Sequence, residues 1–320
     1  MSVSLSVVVP CYNEQAVLPE TGRRLKLLIE SLVARGLVSA RSRVYFVDDG
    51  STDQTWSVIL SLATSEPFVG LKLSRNCGHQ NALLAGLLHA GGDVIVSVDA
   101  DLQDDLRAIE TMMQKFNEGY EIVLGVRETR GTDTLFKRMS AELYYKLLQR
   151  LGVEITFNHA DYRLMSRCAI EHLRQFTEVN MFLRGVIPVI GLRTTTVAYG
   201  RAERFAGESK YPLRKMLALA WDGITSFSTM PLRAVSTLGA AVFVLSIASA
   251  MWVLYVRVFT TRAVPGWAST MIPMYFLGGV QLLAIGVVGE YLSKVYKETK
   301  RRPRFFVEKM VGMEHEPPVK

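Results

Sequence analysis

Two long apolar stretches near the C-terminus restrict the architecture of this chain more than any other feature of its sequence. Residues 235–256 are 22 consecutive positions without a charged side chain. As a helix with a rise of about 1.5 Å per residue, this stretch is roughly 33 Å long, enough to cross a hydrocarbon core of about 30 Å. A second stretch covers 271–288 and continues to Leu292, interrupted only by Glu290. Together they predict two transmembrane helices within 233–292, with a buried core helix as the alternative for each.

Basic residues flank this pair unevenly, and their distribution predicts its orientation. Six Lys or Arg residues lie between 201 and 233 and six between 294 and 304, whereas the connecting loop, 257–270, contains two. Because basic flanks favour the cytoplasmic side, we expect both flanks and the N-terminal part inside the cell and the loop outside. The chain is therefore expected to be a multi-pass protein of the inner (cytoplasmic) membrane.

The segments beside the two stretches also suggest contact with a membrane. Residues 211–231 place apolar side chains at helical spacing and include Trp221, which predicts juxtamembrane amphipathic helices over 210–232; core packing is the alternative. Residues 293–320 form a basic tail that suits anionic lipid. The net charge of +7 would also suit nucleic acid, but no aromatic stacking platform accompanies the basic tail, so nucleic-acid binding is not expected.

The N-terminal part alternates strand-like and helix-like segments. Runs rich in β-formers cover 3–10, 43–48, 70–73, 94–98 and 122–125, and helical spacing appears over 18–32, 54–64, 80–89 and 106–117. This order is typical of an α/β fold with a largely parallel sheet and crossover helices. An amphipathic helix is predicted over 134–151, and the whole domain is assigned to 1–209.

The three cysteines and the N-terminus give a consistent picture of the compartment. Cys11, Cys77 and Cys168 show no CxxC spacing, so neither a disulfide framework nor a zinc site is expected, and a reducing compartment is the default. The first apolar run, 3–10, is only strand-length and no basic region precedes it. A signal peptide is therefore not expected, and the N-terminal domain is predicted to stay in the cytoplasm.

Acidic residues follow three of the predicted strands, at the edge where an open parallel sheet binds its ligands. One acid after a strand is explained by capping of the next helix. Asp99 and Asp101, however, lie one residue apart and share one side of an extended segment. With the amide oxygen of Gln103 they supply oxygen ligands suited to Mg²⁺ or Mn²⁺, which would bridge phosphate oxygens. The sequence contains neither a Walker A motif nor GxGxxG, which argues against P-loop and dinucleotide-binding proteins.

Nine motifs together carry a resemblance to a known family. They are VVVPCYNE (7–14), VDDGSTDQT (47–55), RNCGHQNALLAG (75–86), VDADLQD (98–104), DYRLMSR (161–167), FLRG (182–185), RAERFAGESKY (201–211), ITSFSTMPLR (224–233) and GEYLSKVYKETKRRP (289–303). In these the chain resembles glycosyltransferase family 2, with its Rossmann-like type A glycosyltransferase fold. More closely, it resembles the polyprenyl-phosphate glycosyltransferases, which include dolichol-phosphate mannose synthases and bactoprenol glucosyltransferases. It is similar above all to the bactoprenol glucosyltransferase branch.

The resemblance implies which residues bind the donor. The positions that match nucleotide and donor contacts are Pro10, Tyr12, Glu14, Asp48, Asp49, Asp99 and Ala100. Those that match a loop closing over the donor phosphates are Arg201, Arg204, Ser209 and Lys210. The metal contacts would be Asp99, Asp101 and Gln103, and the cofactor Mg²⁺ or Mn²⁺.

The resemblance also implies an acceptor site and candidate catalytic residues. Arg127, Arg138 and Ser140 resemble the group that holds the acceptor phosphate, with surface ion pairing as the alternative for the two arginines. Asp101 and Asp161 are the candidate catalytic residues, and Asp161 matches an acid often proposed as the base. A polyprenyl phosphate is already an anionic nucleophile, so Asp161 could instead position a sugar hydroxyl or a neighbouring arginine.

The resemblance therefore implies a metal-dependent inverting transfer of a hexose to undecaprenyl or another polyprenyl phosphate, with UDP-glucose as the favoured donor. A processive polysaccharide synthase is the first alternative, but it would normally carry a QxxRW-type motif and more membrane helices. A non-enzymatic membrane partner of a lipid-sugar flippase is the second, and it leaves the ordered acids unexplained. The predicted helix at 134–151 and the membrane pair are compatible with a homo-oligomer.

Overall fold

The computed structural model describes residues 2–127, 159–179, 181, 183–200, 230–259 and 266–312. The chain divides into two compact units. The first consists of Met1–Gln149, Glu154–Tyr211 and Arg301–Lys320, and the second of Arg150–Val153 and Pro212–Lys300. The predicted helix at 134–151 and the predicted juxtamembrane helices up to residue 229 lie outside the described residues.

The described part of the first unit contains eight strands and six helices. The strands are β1 (Leu5–Cys11), β2 (Arg43–Asp48), β3 (Phe68–Leu73), β4 (Val94–Ser97), β5 (Ile122–Arg127), β6 (His159–Ser166), β7 (Thr194–Tyr199) and β8 (Val307–Val311). The helices are α1 (Leu18–Ala34), α2 (Thr55–Leu62), α3 (His79–His89), α4 (Ala108–Asn117), α5 (Arg167–Arg174) and α6 (Leu183–Val189). The five strands and four helices predicted within 1–125 are all present, with ends shifted by at most two residues.

The strands form one mixed sheet in the order β7-β5-β6-β4-β1-β2-β3-β8. β1 pairs in parallel with β2 and β4, β2 with β3, and β5 with β7. β6 lies antiparallel between β4 and β5, and β8 is antiparallel to β3. The predicted α/β class and the type A glycosyltransferase sheet are confirmed.

The centre of the sheet is apolar on both faces, as expected for parallel strands covered by helices. All seven residues of β1 are buried. Helix α3 packs so closely on β1 that a Cβ added at Gly86 would collide with the Val8 side chain. This contact fixes α3, and its N-terminal residue His79 comes to lie beside the ends of the central strands.

The chain returns to the sheet after its second apolar helix, which the sequence pattern did not predict. Residues 307–311, within the predicted basic tail, form β8 beside β3, where Lys72 pairs with Glu308 at 3.1 Å. Before β8, Arg304 donates a hydrogen bond to the Phe176 carbonyl. These five residues show no alternation of buried and exposed positions, so the strand could not be recognised without the edge strand that it pairs with.

The second unit contains two long helices, α7 (Met230–Phe259) and α8 (Trp267–Thr299). Their segments Pro231–Ser249 and Phe276–Thr299 are long and apolar enough, by length and composition, to cross a membrane. Large apolar side chains are exposed along both helices, including Phe243 at 66% and Leu282 at 72%. α8 extends past the predicted end at Leu292, because the residues that follow are polar but remain good helix formers.

Candidate active site

A cavity of about 350 Å³ opens at the carboxyl ends of β1, β2 and β4. Its lining includes seven of the residues predicted to contact the donor or the metal, namely Pro10, Tyr12, Glu14, Asp49, Asp99, Ala100 and Asp101. Parallel pairing explains this meeting, since β1 and β2 end in register with Cys11 opposite Asp48. Asp48 itself is not among the lining residues; it is fully buried and accepts a hydrogen bond from the Ser51 amide at 3.1 Å.

The loops that follow β1 and β2 are joined by hydrogen bonds. Asn13 lies in the left-handed backbone region, with φ 55°. Its side-chain oxygen accepts a hydrogen bond from the Thr52 backbone amide at 2.9 Å, and its backbone amide donates to the Ser51 hydroxyl at 3.0 Å. The Glu14 amide donates to the Thr55 hydroxyl at 2.8 Å. These bonds hold Tyr12 at the rim of the cavity with 45% of its surface exposed. An exposed ring at this position offers a face for a planar ligand.

Asp49 forms part of the floor of the cavity and also shapes its wall. Its carboxylate accepts hydrogen bonds from the amides of Cys77 at 2.7 Å and Gly78 at 3.0 Å. Gly78 has φ 88°, a conformation that suits glycine, and it directly precedes α3. Burial raises the pKa of Asp49 above its ordinary value, although the two amide bonds oppose that effect.

The two acids after β4 fit a divalent cation. Asp99 and Asp101 both line the cavity, and burial together with neighbouring carboxylates raises the pKa of Asp99. A cation there would remove the repulsion between these carboxylates. Among the described residues, no group of three His, Cys, Asp or Glu side chains could hold a cation by itself. Gln103 lies in the same turn, where its backbone amide donates a hydrogen bond to the Asp101 carboxylate at 3.2 Å. Gln103 is not among the residues that line the cavity.

Asp161, on β6, lies in a cluster of three basic side chains. Arg163 donates a hydrogen bond to it, Arg184 donates two at 3.2 and 3.0 Å, and His79 lies 3.7 Å away. Burial alone would raise the pKa of Asp161, but the His79 hydrogen bond and the charges of both arginines hold it well below its ordinary value. A carboxylate held in this way is a weak proton acceptor.

His79 connects this cluster to the acid pair. Its Nε2 atom lies 3.6 Å from Asp99 and 3.7 Å from Asp161. Burial would lower the pKa of His79, but the hydrogen bond to Asp161 and the charge of Asp99 raise it above its ordinary value. The sequence pattern did not single out His79 or Arg184 as site residues. What could have pointed to them is that His79 lies within the RNCGHQNALLAG motif and Arg184 within the FLRG motif.

The predicted acceptor group is only partly described. Arg127 ends β5, and its Nε donates to the Tyr199 hydroxyl at 3.2 Å. The remaining predicted acceptor and donor-loop residues, Arg138, Ser140, Arg201, Arg204, Ser209 and Lys210, lie outside the described residues.

Comparison with known proteins identifies the family of this arrangement. The model for "Glycosyl transferase family 2" matches residues 6–174. An uncharacterized glycosyltransferase of Bacillus subtilis, YkoT, is 45% identical over 307 residues, which cover 95% of this chain and 91% of that protein. The prophage bactoprenol glucosyl transferase homolog of Escherichia coli is 38% identical over 310 residues, covering 96% of this chain and 99% of that protein.

A solved structure shows a more distant likeness. The mannosyltransferase PcManGT from Pyrobaculum calidifontis, in complex with GDP-Man and Mn²⁺, is 19% identical with a TM-score of 0.43, covering 91% of this chain and 88% of that one. At this distance the likeness carries no argument about the site.

Proposed function

The chain belongs to glycosyltransferase family 2, and on that premise we propose that it transfers a hexose from a nucleotide sugar to a polyprenyl phosphate at the cytoplasmic face of a membrane. The observation that carries the proposal is a pair of acids, Asp99 and Asp101, in a sheet-edge cavity of a chain that also has two helices of membrane-spanning length. UDP-glucose and undecaprenyl phosphate are the proposed pair. Support comes from relatives about two-fifths identical over nearly the whole chain that are named bactoprenol glucosyl transferases.

The donor would lie in the cavity with its base near Tyr12 and its diphosphate near the acid pair. Mg²⁺ or Mn²⁺, held by Asp99 and Asp101 with Gln103 nearby, would supply positive charge that stabilises the leaving nucleoside diphosphate. Glu14 and Asp49 line the same cavity and are proposed to contact the nucleoside. Arg201, Arg204, Ser209 and Lys210 stay predictions for the loop over the phosphates.

The acceptor phosphate is proposed to bind Arg127, Arg138 and Ser140. Arginine suits this role because its planar fork binds two phosphate oxygens at once. A phosphate oxygen attacks the anomeric carbon, the bond from that carbon to the diphosphate breaks, and the configuration is inverted. The second pKa of a phosphate monoester is about 6, so the nucleophile is largely deprotonated at neutral pH and needs no base. We therefore assign Asp161 to holding Arg163, Arg184 and His79 in place.

Replacing Arg138 with Ala is expected to raise the KM for polyprenyl phosphate about tenfold or more, because a charge-assisted contact to phosphate is lost. The KM for the nucleotide sugar should change much less. Steady-state kinetics with each substrate varied in turn measures both values, and Arg107→Ala, an exposed arginine near α4, serves as the control. An effect confined to the donor would contradict the acceptor assignment.

The proposed orientation predicts a labelling pattern in intact cells. A cysteine introduced at Ser269, between the two spans, should react with a membrane-impermeant thiol reagent. One introduced at Ser209 should react only after the membrane is opened. Cys11, Cys77 and Cys168 all belong to the first unit, and the same chain without an added cysteine measures their background. Labelling of position 209 alone in intact cells would reverse the proposed topology.

A panel of labelled nucleotide sugars tests the proposed function. The purified full-length chain is incubated with undecaprenyl phosphate, a divalent metal and each donor in turn, and the label in the organic phase is counted. We expect UDP-glucose to label the lipid most rapidly. Label in a water-soluble polymer would indicate a processive synthase, and no transfer from any donor would indicate a non-enzymatic partner. A homo-oligomer stays a prediction.

A further inference from the structure

Three polar side chains, each buried or half-buried, form a hydrogen-bonded series that links the turn after β4 to the end of β5. The Tyr199 hydroxyl donates to the Asp104 carboxylate at 2.8 Å and accepts from Arg127 Nε at 3.2 Å. Asp104 is 5% exposed and Tyr199 is 3% exposed. The second carboxylate oxygen of Asp104 has no hydrogen-bond partner within the described part of the chain. A buried carboxylate this poorly paired is costly, so a role beyond packing is expected.

One end of this hydrogen-bonded series, Asp104, belongs to the turn that also carries Asp101. Between Asp101 and Asp104 the turn passes through Leu102, whose φ of 57° is a conformation that a branched side chain rarely adopts. Asp101 accepts a hydrogen bond from the Gln103 amide at 3.2 Å. A strained turn keeps its shape only where its surroundings hold it, and the Asp104–Tyr199 hydrogen bond is one such restraint.

A second tyrosine holds the same turn from the neighbouring strand. The Tyr162 hydroxyl donates to the Asp105 carbonyl at 3.0 Å, and its ring meets the Tyr199 ring edge-on with 5.0 Å between centroids. The Tyr199 ring also packs against Gly125 of β5, where an added Cβ would lie 3.0 Å from that ring. The rings thus fix the Tyr199 hydroxyl between Asp104 and Arg127 with little freedom to move.

The other end of this hydrogen-bonded series is Arg127. Its Nε donates to Tyr199, which fixes the plane of the guanidinium group. The fork geometry of arginine makes its binding of phosphate sensitive to that plane. Burial would lower the pKa of Arg127, but Tyr199 and the acids nearby raise it, so the group keeps its positive charge.

We propose that Tyr199 is a positioning residue that couples the metal-binding turn to the arginine that receives the acceptor phosphate. The inference rests on the proposed function, since it takes Arg127 as an acceptor contact and Asp101 as a metal contact. Through its one hydroxyl, Tyr199 sets the distance between the two. Loss of that hydroxyl therefore loosens both ends at once, although Tyr199 touches neither substrate.

The test compares Tyr199→Phe with Tyr45→Phe in the full-length chain. Tyr45 is likewise 3% exposed, and its hydroxyl accepts one hydrogen bond from the Gly91 amide at 3.0 Å, away from the cavity. Tyr199→Phe is expected to raise the KM for undecaprenyl phosphate roughly five- to twentyfold, as loss of a hydrogen bond to a charged group does. Binding of UDP in the presence of Mn²⁺, measured by calorimetry without turnover, should weaken severalfold. Tyr45→Phe should change neither value.

A double variant separates coupling from independent effects. If Tyr199 acts through Arg127, the variant with Tyr199→Phe and Arg127→Ala should have the same acceptor KM as Arg127→Ala alone. The proposal would be overturned if the double variant raised the acceptor KM by the product of the two single effects. It would also be overturned if Tyr199→Phe had the same kinetics as wild type. Asp104→Asn keeps an oxygen that accepts from Tyr199 and should remain near the wild-type acceptor KM, whereas Asp104→Leu should reproduce the Tyr199→Phe defect. A wild-type chain that transfers no hexose to lipid would instead reject the proposed function on which the inference rests.

Discussion

Replacing Asp101 with Asn is expected to lower turnover by about 10²- to 10³-fold, the scale on which loss of one preorganised electrostatic contact acts in a transition state. The substitution is nearly isosteric but removes a charged ligand from the acid pair that lines the cavity. Excess EDTA should abolish the activity of the wild-type protein, and added Mg²⁺ or Mn²⁺ should restore it. The measurement is the rate of label entering lipid, with nucleotide sugar and acceptor both saturating.

The same turn supplies a matched control. Asp105 is half-exposed, and its side chain accepts from the Arg107 amide at 3.0 Å, at the start of α4. Asn forms this hydrogen bond to the amide two residues on as well as Asp does, so Asp105→Asn should leave turnover within about twofold of wild type. Full activity of the wild type in excess chelator would reject the metal assignment.

Replacing Asp161 with Ala is expected to abolish transfer and to lower the free energy of unfolding by about 3–5 kcal/mol, because it leaves buried basic groups without their partner. Arg163 is fully buried, and its Nε and Nη1 atoms lack partners in the described part of the chain. The half-buried surface acid Glu20 also binds two arginines, Arg23 and Arg24, each at 2.7 Å. Glu20→Ala should change stability and activity very little, since such pairs are screened by water.

The pH dependence of this stability difference follows from the direction of the pKa shift. The folded protein holds the pKa of Asp161 well below the ordinary value of 3.8. Its contribution to stability is therefore fully present above that value and is lost as the pH falls through the lower folded pKa. Asp161 also raises the pKa of His79 above its ordinary value of 6.5, and that contribution to stability is present at lower pH and is lost as the pH rises through the raised pKa. The difference between wild type and Asp161→Ala in denaturant unfolding should therefore be largest near about pH 5 and become smaller toward about pH 8. Lost activity with unchanged unfolding would instead indicate a direct chemical role for Asp161.

The regular parts of the fold could be predicted because they leave local patterns. The strands of residues 1–125 are continuous apolar runs, and the acids at their ends stand out against them. Strand β6 was not predicted, because Arg163 in its middle interrupts the apolar pattern. That arginine is buried only because Asp161 and the neighbouring strands β4 and β5 surround it, which no local pattern reveals.

The residues of the candidate site could likewise be predicted only where they belong to a local sequence pattern. Asp99 and Asp101 could be found from their spacing after a strand, whereas the cluster around Asp161 joins residues from three separate motifs. Tyr199 belongs to none of the motifs that carried the family resemblance. Contacts between residues far apart in sequence depend on the assembled sheet, in which β6 brings Asp161 beside His79.

Transfer of the hexose alone to a lipid phosphate can be established by identifying both products of one reaction. The purified chain is given UDP-glucose and undecaprenyl phosphate, and the lipid and nucleotide fractions are analysed by mass spectrometry. We expect a lipid that carries one phosphate and one hexose, with one UDP released for each lipid formed. A lipid carrying two phosphates together with released UMP would show transfer of a phosphosugar, and would contradict the proposed function.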